Sequence, residues 1–118
     1  MSNTNFILLR REYGTLQTLI VLFRLKPGTD RSAYEAWART TDLPVVRQLP
    51  SVAGFEVFRA AGLFGSPEPA PYDYIEVIGI RDPDRFGADV ATDTMRKVAG
   101  EFRQFADNPV FMLTDPLS

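Results

Sequence analysis

The chain contains neither cysteine nor histidine. Without cysteine there is no disulfide framework, no thiolate nucleophile and no sulfur-ligated metal. Without histidine the commonest general base, the commonest zinc ligand and the usual haem ligand are all missing, and a Ser-His-Asp triad is excluded. No apolar run approaches the length of a membrane span. Residues 1–15 carry Arg10 and Arg11 but not the apolar core and small-residue site of a signal peptide. A cytoplasmic location is therefore expected. Excess charge is lacking too: 13 basic residues face 15 acidic ones, a net charge of −2, and the basic residues are scattered. Neither nucleic acid nor a membrane surface is expected as a partner. Asp and Glu never take the spacing of a calcium or magnesium loop, so neither a metal nor a cofactor is expected.

What is present is enough for one domain and too little for two: 118 residues, of which 45% are hydrophobic. Residues 1–15 have a weak pattern and read as an arm; the domain is expected over 16–118. The β-branched and aromatic run Thr18 to Leu25 stops at Lys26-Pro27-Gly28, which reads as a strand ended by a turn. Asp30 is placed to cap a helix carrying Ala33, Tyr34, Trp37, Ala38 and Thr41 on one face, interrupted at Asp42-Leu43-Pro44 and resumed from Val45 to Leu49. Val52 to Ala60 and Tyr72 to Ile80 read as strands around a Gly- and Pro-rich loop, Ala61 to Pro71. Asp82-Pro83 opens a short helical piece, with a bend expected at Phe86-Gly87-Ala88-Asp89. Thr92 then starts a helix with Met95, Val98, Ala99, Phe102, Phe105 and Ala106 on one face. Asn108-Pro109 is expected to stop it, and Val110 to Leu113 to form the last strand.

The order β-α-β-β-α-β is the split βαβ arrangement of the α+β, ferredoxin-like fold, with a four-stranded antiparallel sheet. Helices in that number cover one sheet face. Leu19, Val21, Phe23 and Leu25 are expected to meet them, leaving Thr18, Ile20, Leu22 and Arg24 on the other side. In the third strand Tyr72, Tyr74, Glu76, Ile78 and Ile80 are assigned to that uncovered side. A face so apolar calls for cover, and a two-fold homodimer closing a barrel is the expected answer.

The uncovered face is also where chemistry is expected. Arg24, Glu56, Glu76 and Tyr74 are the candidate catalytic groups: a carboxyl in a dry cavity is pushed towards neutral, and an arginine or phenol can hold an oxyanion. Tyr72, Phe58, Ile20 and Leu22 would line the same chamber. The structural alternative pairs Arg24 with Glu56 or Glu76 simply to make a buried charge tolerable. Trp37 and Asp42 are candidate binding residues, the ring walling a pocket and the carboxylate pointing into it. Their structural alternative is a core anchor and a helix cap, which helical spacing and the following Pro44 favour. The Ala61 to Pro71 loop reads equally as a lid or as an inert connection.

The succession Leu19 to Gly28 (LIVLFRLKPG), Trp37 to Pro44 (WARTTDLP), Tyr72 to Ile78 (YDYIEVI), Phe86 to Thr92 (FGADVAT) and the closing Phe102 to Phe111 stretch resembles the RedY-like (HapK-type) proteins. These are encoded with prodigiosin-type pyrrole pigments and some indole-derived natural products. The resemblance spans Leu19 to Leu113. It implies a dimeric α/β-barrel acting in secondary metabolism on a small aromatic, nitrogen-containing intermediate. The wider superfamily includes cofactor-free monooxygenases, isomerases and haem-degrading enzymes, and the lack of histidine argues against the last. The resemblance assigns no catalytic residues. The expected activity is cofactor-free acid/base chemistry such as condensation, hydration or cyclisation. The alternatives are cofactor-independent oxygenation and a non-catalytic carrier of a reactive intermediate.

Overall fold

In a computed structural model that describes residues 17–117, the expected element order is present. The arm assigned to residues 1–15 lies outside the described residues. Strand β1 (Gln17–Leu25) ends where Pro27 and Gly28 turn the chain, Gly28 with φ +82°, a conformation that a Cβ disfavours. Asp30 caps helix α1 (Arg31–Trp37), accepting from Ser32 N at 3.0 Å. The helix runs on through a π-helical turn, Ala38–Asp42, into the short α2 (Leu43–Arg47). Strands β2 (Val52–Arg59) and β3 (Tyr74–Ile80) follow, then α3 (Pro83–Asp89), capped by Asp82 through Arg85 N at 3.1 Å. Thr92 caps α4 (Asp93–Phe105) by accepting from Met95 N at 3.2 Å, and α4 leads straight into β4 (Ala106–Thr114).

Three details differ from the sequence reading. Tyr72 precedes β3 instead of opening it. The break between α3 and α4 falls at residues 90–92, after Phe86-Gly87 rather than at them. Asn108-Pro109 does not precede the last strand but sits inside it: Asn108 takes φ +47° where the β1–β4 register shifts between Leu22 and Arg24. A bulge accommodates the extra residue, and β4 is an edge strand with a free side, where proline is tolerated.

The sheet is antiparallel throughout, in the order β2-β3-β1-β4. Its register settles which side chains share a face, because direct partners project to the same side. Val21 pairs with Glu76 and Phe23 with Tyr74 in β3; Val57 pairs with Glu76, and Val21 also with Phe111. That is the helix-covered face. Phe23, Tyr34, Phe55, Tyr74 and Ile80 are essentially inaccessible there. The Phe23 ring lies 5.5, 5.6 and 4.9 Å from those of Tyr34, Tyr74 and Phe102, an aromatic cluster whose pairs each contribute roughly 0.5–1.5 kcal/mol beyond area burial. The opposite face carries Ile20, Leu22 and Arg24 with Glu56, Phe58, Ile75, Val77, Val110 and Met112.

The assignment of Tyr74, Glu76, Ile78 and Ile80 to the uncovered face is therefore corrected: all four turn towards the helices, and Ile75 and Val77 face away. The uncovered face is more uniformly apolar than expected, with Phe58 half-exposed. No described helix is long and apolar enough to cross a membrane.

Candidate active site

The main cavity lies between the sheet and the helices. It holds about 350 Å³, within the range of small-molecule sites. Its floor is the covered face: Leu19 and Val21 from β1, Phe55 from β2, Glu76 and Ile78 from β3, and Phe111 from β4. The opposite wall is Asp42, Val46 and Leu49 on one side, Phe86 and Val90 from the α3 region on another, and Met95, Val98, Ala99, Phe102 and Arg103 from α4. Almost everything in this lining is aliphatic or aromatic. The ionisable exceptions are Asp42, Glu76 and Arg103.

Asp42 and Glu76 are both buried, each 5% exposed. They reach the cavity from different elements, Glu76 from the middle of β3 and Asp42 from the π turn. Burial, then the negative charge of Asp42 beside it, hold Glu76 well above the usual carboxylate range. Burial pushes Asp42 up to about 6, and a hydrogen bond with Glu76 offsets part of that. Two adjacent carboxylates in so apolar a pocket cannot both be charged cheaply, so burial and mutual repulsion favour a pair that shares a proton. Tyr34, fully buried on α1, completes the group. Its hydroxyl favours the charged form of Glu76, while burial and the charges of Glu76 and Asp42 push its own ionisation out of reach. Tyr34 Oη and Glu76 Oε2 have no hydrogen-bond partner of good geometry among the protein atoms.

The other residues singled out in the sequence lie elsewhere. Arg24 is exposed on the uncovered face and donates through Nε to Pro71 O at 2.7 Å. Glu56, also exposed, pairs with Arg47 Nη2 at 3.0 Å, so neither Arg24–Glu56 nor Arg24–Glu76 pairing occurs. Phe58, Ile20 and Leu22 share that outer face with them. Tyr74 faces the helices but not the main cavity. Its hydroxyl donates to Glu35 Oε2 at 2.6 Å, and Arg59 grips the same carboxylate at 2.6 and 2.7 Å, holding it down at about 2. This trio lines a separate cleft of about 160 Å³. Tyr72 lines neither space. Trp37 is the core anchor of the structural alternative: it packs on Tyr34 and Phe105, and its Nε1 donates to Glu101 at 2.8 Å. Asp42 makes no side-chain cap bond to α2, and it lines the cavity between sheet and helices instead of a chamber on the uncovered face. No residue of the 61–71 loop lines this cavity. Sequence reasoning passed over Tyr34, Phe86, Phe111 and the α4 face as site residues, reading the last simply as core. Among the described residues no three Asp, Glu, His or Cys side chains come together as metal ligands would.

Comparison with known proteins fits this geometry. None of the curated proteins is detectably similar. Among solved structures, HapK from Hahella chejuensis is 32% identical, over 86% of this chain and 93% of that one, with a TM-score of 0.69. A dimeric ferredoxin-like protein of unknown function from Thermobifida fusca (18% identity, 87% and 92% coverage, TM-score 0.69) shares the fold. So does SnoaB, a cofactor-independent oxygenase from Streptomyces nogalater, at 15% identity, 89% and 96% coverage and a TM-score of 0.69. Residues 17–117 match the family described as REDY-like protein HapK. The chain belongs to the REDY-like HapK family.

Proposed function

We propose that this protein is a tailoring enzyme of secondary metabolism that takes a small aromatic intermediate, of pyrrole or indole type, into the cavity between sheet and helices. There it carries out a cofactor-free proton-transfer step of a condensation, hydration or cyclisation. The observation that carries this reading is the Asp42–Glu76 pair, two carboxyls buried together in a cavity whose lining is otherwise apolar apart from Arg103. Asp42, charged at neutral pH, is the base. Glu76, protonated, is the acid. After one turnover Asp42 holds the substrate's proton and Glu76 has given its own away; transfer across the pair restores the starting state without a solvent proton. Phe55, Phe86, Phe102 and Phe111 supply the flat apolar walls that an aromatic ring needs. Family membership supports the metabolic setting, since the resemblance implies it.

The test is incubation of the full chain with such intermediates, followed by mass spectrometry and an oxygen electrode. Product of the mass expected for condensation or loss or gain of water, with no oxygen uptake, supports the reading. Oxygen consumption with a product one oxygen heavier replaces it with an oxygenase. Tight binding with the ligand recovered unchanged replaces it with a carrier.

We further propose that the working unit is a homodimer. Ile20, Leu22, Phe58, Ile75, Val77, Val110 and Met112 make one apolar face that no element of the chain's described residues covers. Large exposed apolar faces of this kind mark interaction surfaces, and a self-complementary pairing is the simplest cover. Light scattering should report about twice 13.2 kDa for the full chain and 13.2 kDa for Leu22→Asp, which places a charge on the central strand of that face. A wild-type particle of 13.2 kDa at micromolar concentration would refute the dimer.

A further inference from the structure

The side chain that supplies the base reaches the cavity because of one unusual turn. Tyr34, Ala38, Asp42 and Val46 are all buried, at a strict spacing of four residues. An unbroken α-helix has 3.6 residues per turn, so each four-residue step overshoots by about 40°, and three steps carry a stripe about 120° around the axis. A stripe that drifts so far cannot keep facing one sheet. Here the turn Ala38–Asp42 is π-helical, and the N–H of Leu43 closes on Ala38 O, five residues back. Widening that single turn takes up the drift and keeps Asp42 in line with Tyr34 and Ala38. Turns of this kind are rare and concentrate at functional sites.

The sequence contains the physical cause. Residue 44 is proline. An α-helix would need the N–H of residue 44 to close on the carbonyl of Thr40; proline has no N–H, and its ring collides with that carbonyl. The ladder must therefore open just before it. Thr40 reinforces the distortion by turning its hydroxyl back onto Ala36 O at 2.8 Å, a local bond that bends helices. Pro44 itself is exposed and lines neither cavity, so it contributes nothing to the walls of the site.

We infer that Pro44 is a positioning residue of this site: by forcing the π turn at Ala38–Asp42 it aims the Asp42 carboxylate at Glu76. The functional consequence rests on the acid/base reading of the pair; the geometric claim does not.

Pro44→Ala in the full chain separates the two. The substitution restores the missing N–H at a solvent-facing position and lets the helix close as a regular α-helix, rotating Asp42 away from Glu76. The groups that interact with Asp42 from the packed elements are Tyr34 on α1 and Glu76 on β3, with Arg103 of α4 lining the same cavity, and rotation takes Asp42 away from that group. In a carbon-detected NMR titration, Asp42 of the wild type should titrate near 6, and Asp42 of Pro44→Ala about two pH units lower, in the ordinary aspartate range. Turnover should fall ten- to a hundredfold in kcat with KM little changed, while the melting temperature holds or rises. Pro44→Lys, also a good helix former, should reproduce the shift and serves if the alanine variant aggregates. An Asp42 titration unchanged in these folded variants would overturn the inference. If the titration shifts and turnover does not, the positioning role stands and the acid/base assignment falls.

Discussion

Asp42→Asn should turn over the aromatic substrate about 10²–10⁴-fold more slowly than wild type, the range spanned by loss of a positioned general base. The amide keeps the size of the side chain and can still accept a hydrogen bond from Glu76, but it cannot take a proton. Glu76→Gln should cost a similar factor from the other side of the pair, since the amide cannot deliver a proton to the reacting atom. Because the two groups share one proton, the double variant should be little worse than either single one. The pH dependence of kcat/KM tests the pair by a second route. The rate should climb with pH until Asp42 is charged, around 6, then hold level until Glu76 loses its proton well above the usual carboxylate range. A variant Asp42→Asn that keeps wild-type kcat, or a rate that falls as pH rises from 5 to 7, would remove Asp42 from the chemistry. Changes at Arg24 or Glu56 should leave kcat unaltered, because both sit on the far side of the sheet.

That placement shows where the sequence was readable and where it was not. Element order along the chain, helix starts and the caps at Asp30, Asp82 and Thr92 could all be read, because each rests on local rules acting within a few residues. The faces of β1 were also correct: its alternation of wholly apolar with mixed positions orients it against the helices. β3 carries no such asymmetry. Tyr74, Ile78 and Ile80 on one side are as apolar as Ile75 and Val77 on the other, and the single charge, Glu76, pulls any reading towards the open face. Its true side is fixed by pairing with β1, Val21 against Glu76, and that register depends on the conformation of the long 60–73 connection. The carboxylate that looks least suited to a core is the one the fold buries. Asp42 posed the opposite problem. Its neighbour Pro44 was visible, but proline near a helix end reads first as a stop signal, and the wide turn that swings Asp42 inward is a tertiary outcome. Phe111 was hidden for a third reason: Asn108-Pro109 reads as the boundary of β4, whereas the bulge there carries the strand through and shapes the cavity floor.

The same burial that makes Asp42 a base should make it a burden on the fold, which leads to the second large effect. Asp42→Asn should melt higher than wild type at pH 7 and at nearly the same temperature at pH 4. The folded protein holds the Asp42 proton up to about 6, whereas the unfolded chain releases it at the ordinary aspartate value, 3.8. A raised folded pKa means that this group's contribution is fully present below about 4 and is lost as pH rises to about 6. The rise from 3.8 to about 6 corresponds to about 3 kcal/mol at neutral pH, or roughly 12 °C for a chain of this length. Glu76, raised further, extends the loss to higher pH. Other carboxylates do not mask the effect. Glu35, gripped by Arg59, is held down at about 2, so its stabilising charge appears as pH rises to about 4.5 and is constant above that. A melting difference between wild type and Asp42→Asn that widens from pH 4 to 6 and then levels is therefore specific to the buried pair. A difference independent of pH, or an asparagine variant less stable than wild type at pH 7, would mean that Asp42 is not charged at a cost inside the cavity. The expected gain for a neutral amide of the same shape would support the proposal that the carboxylate is kept for what its charge does to a ligand.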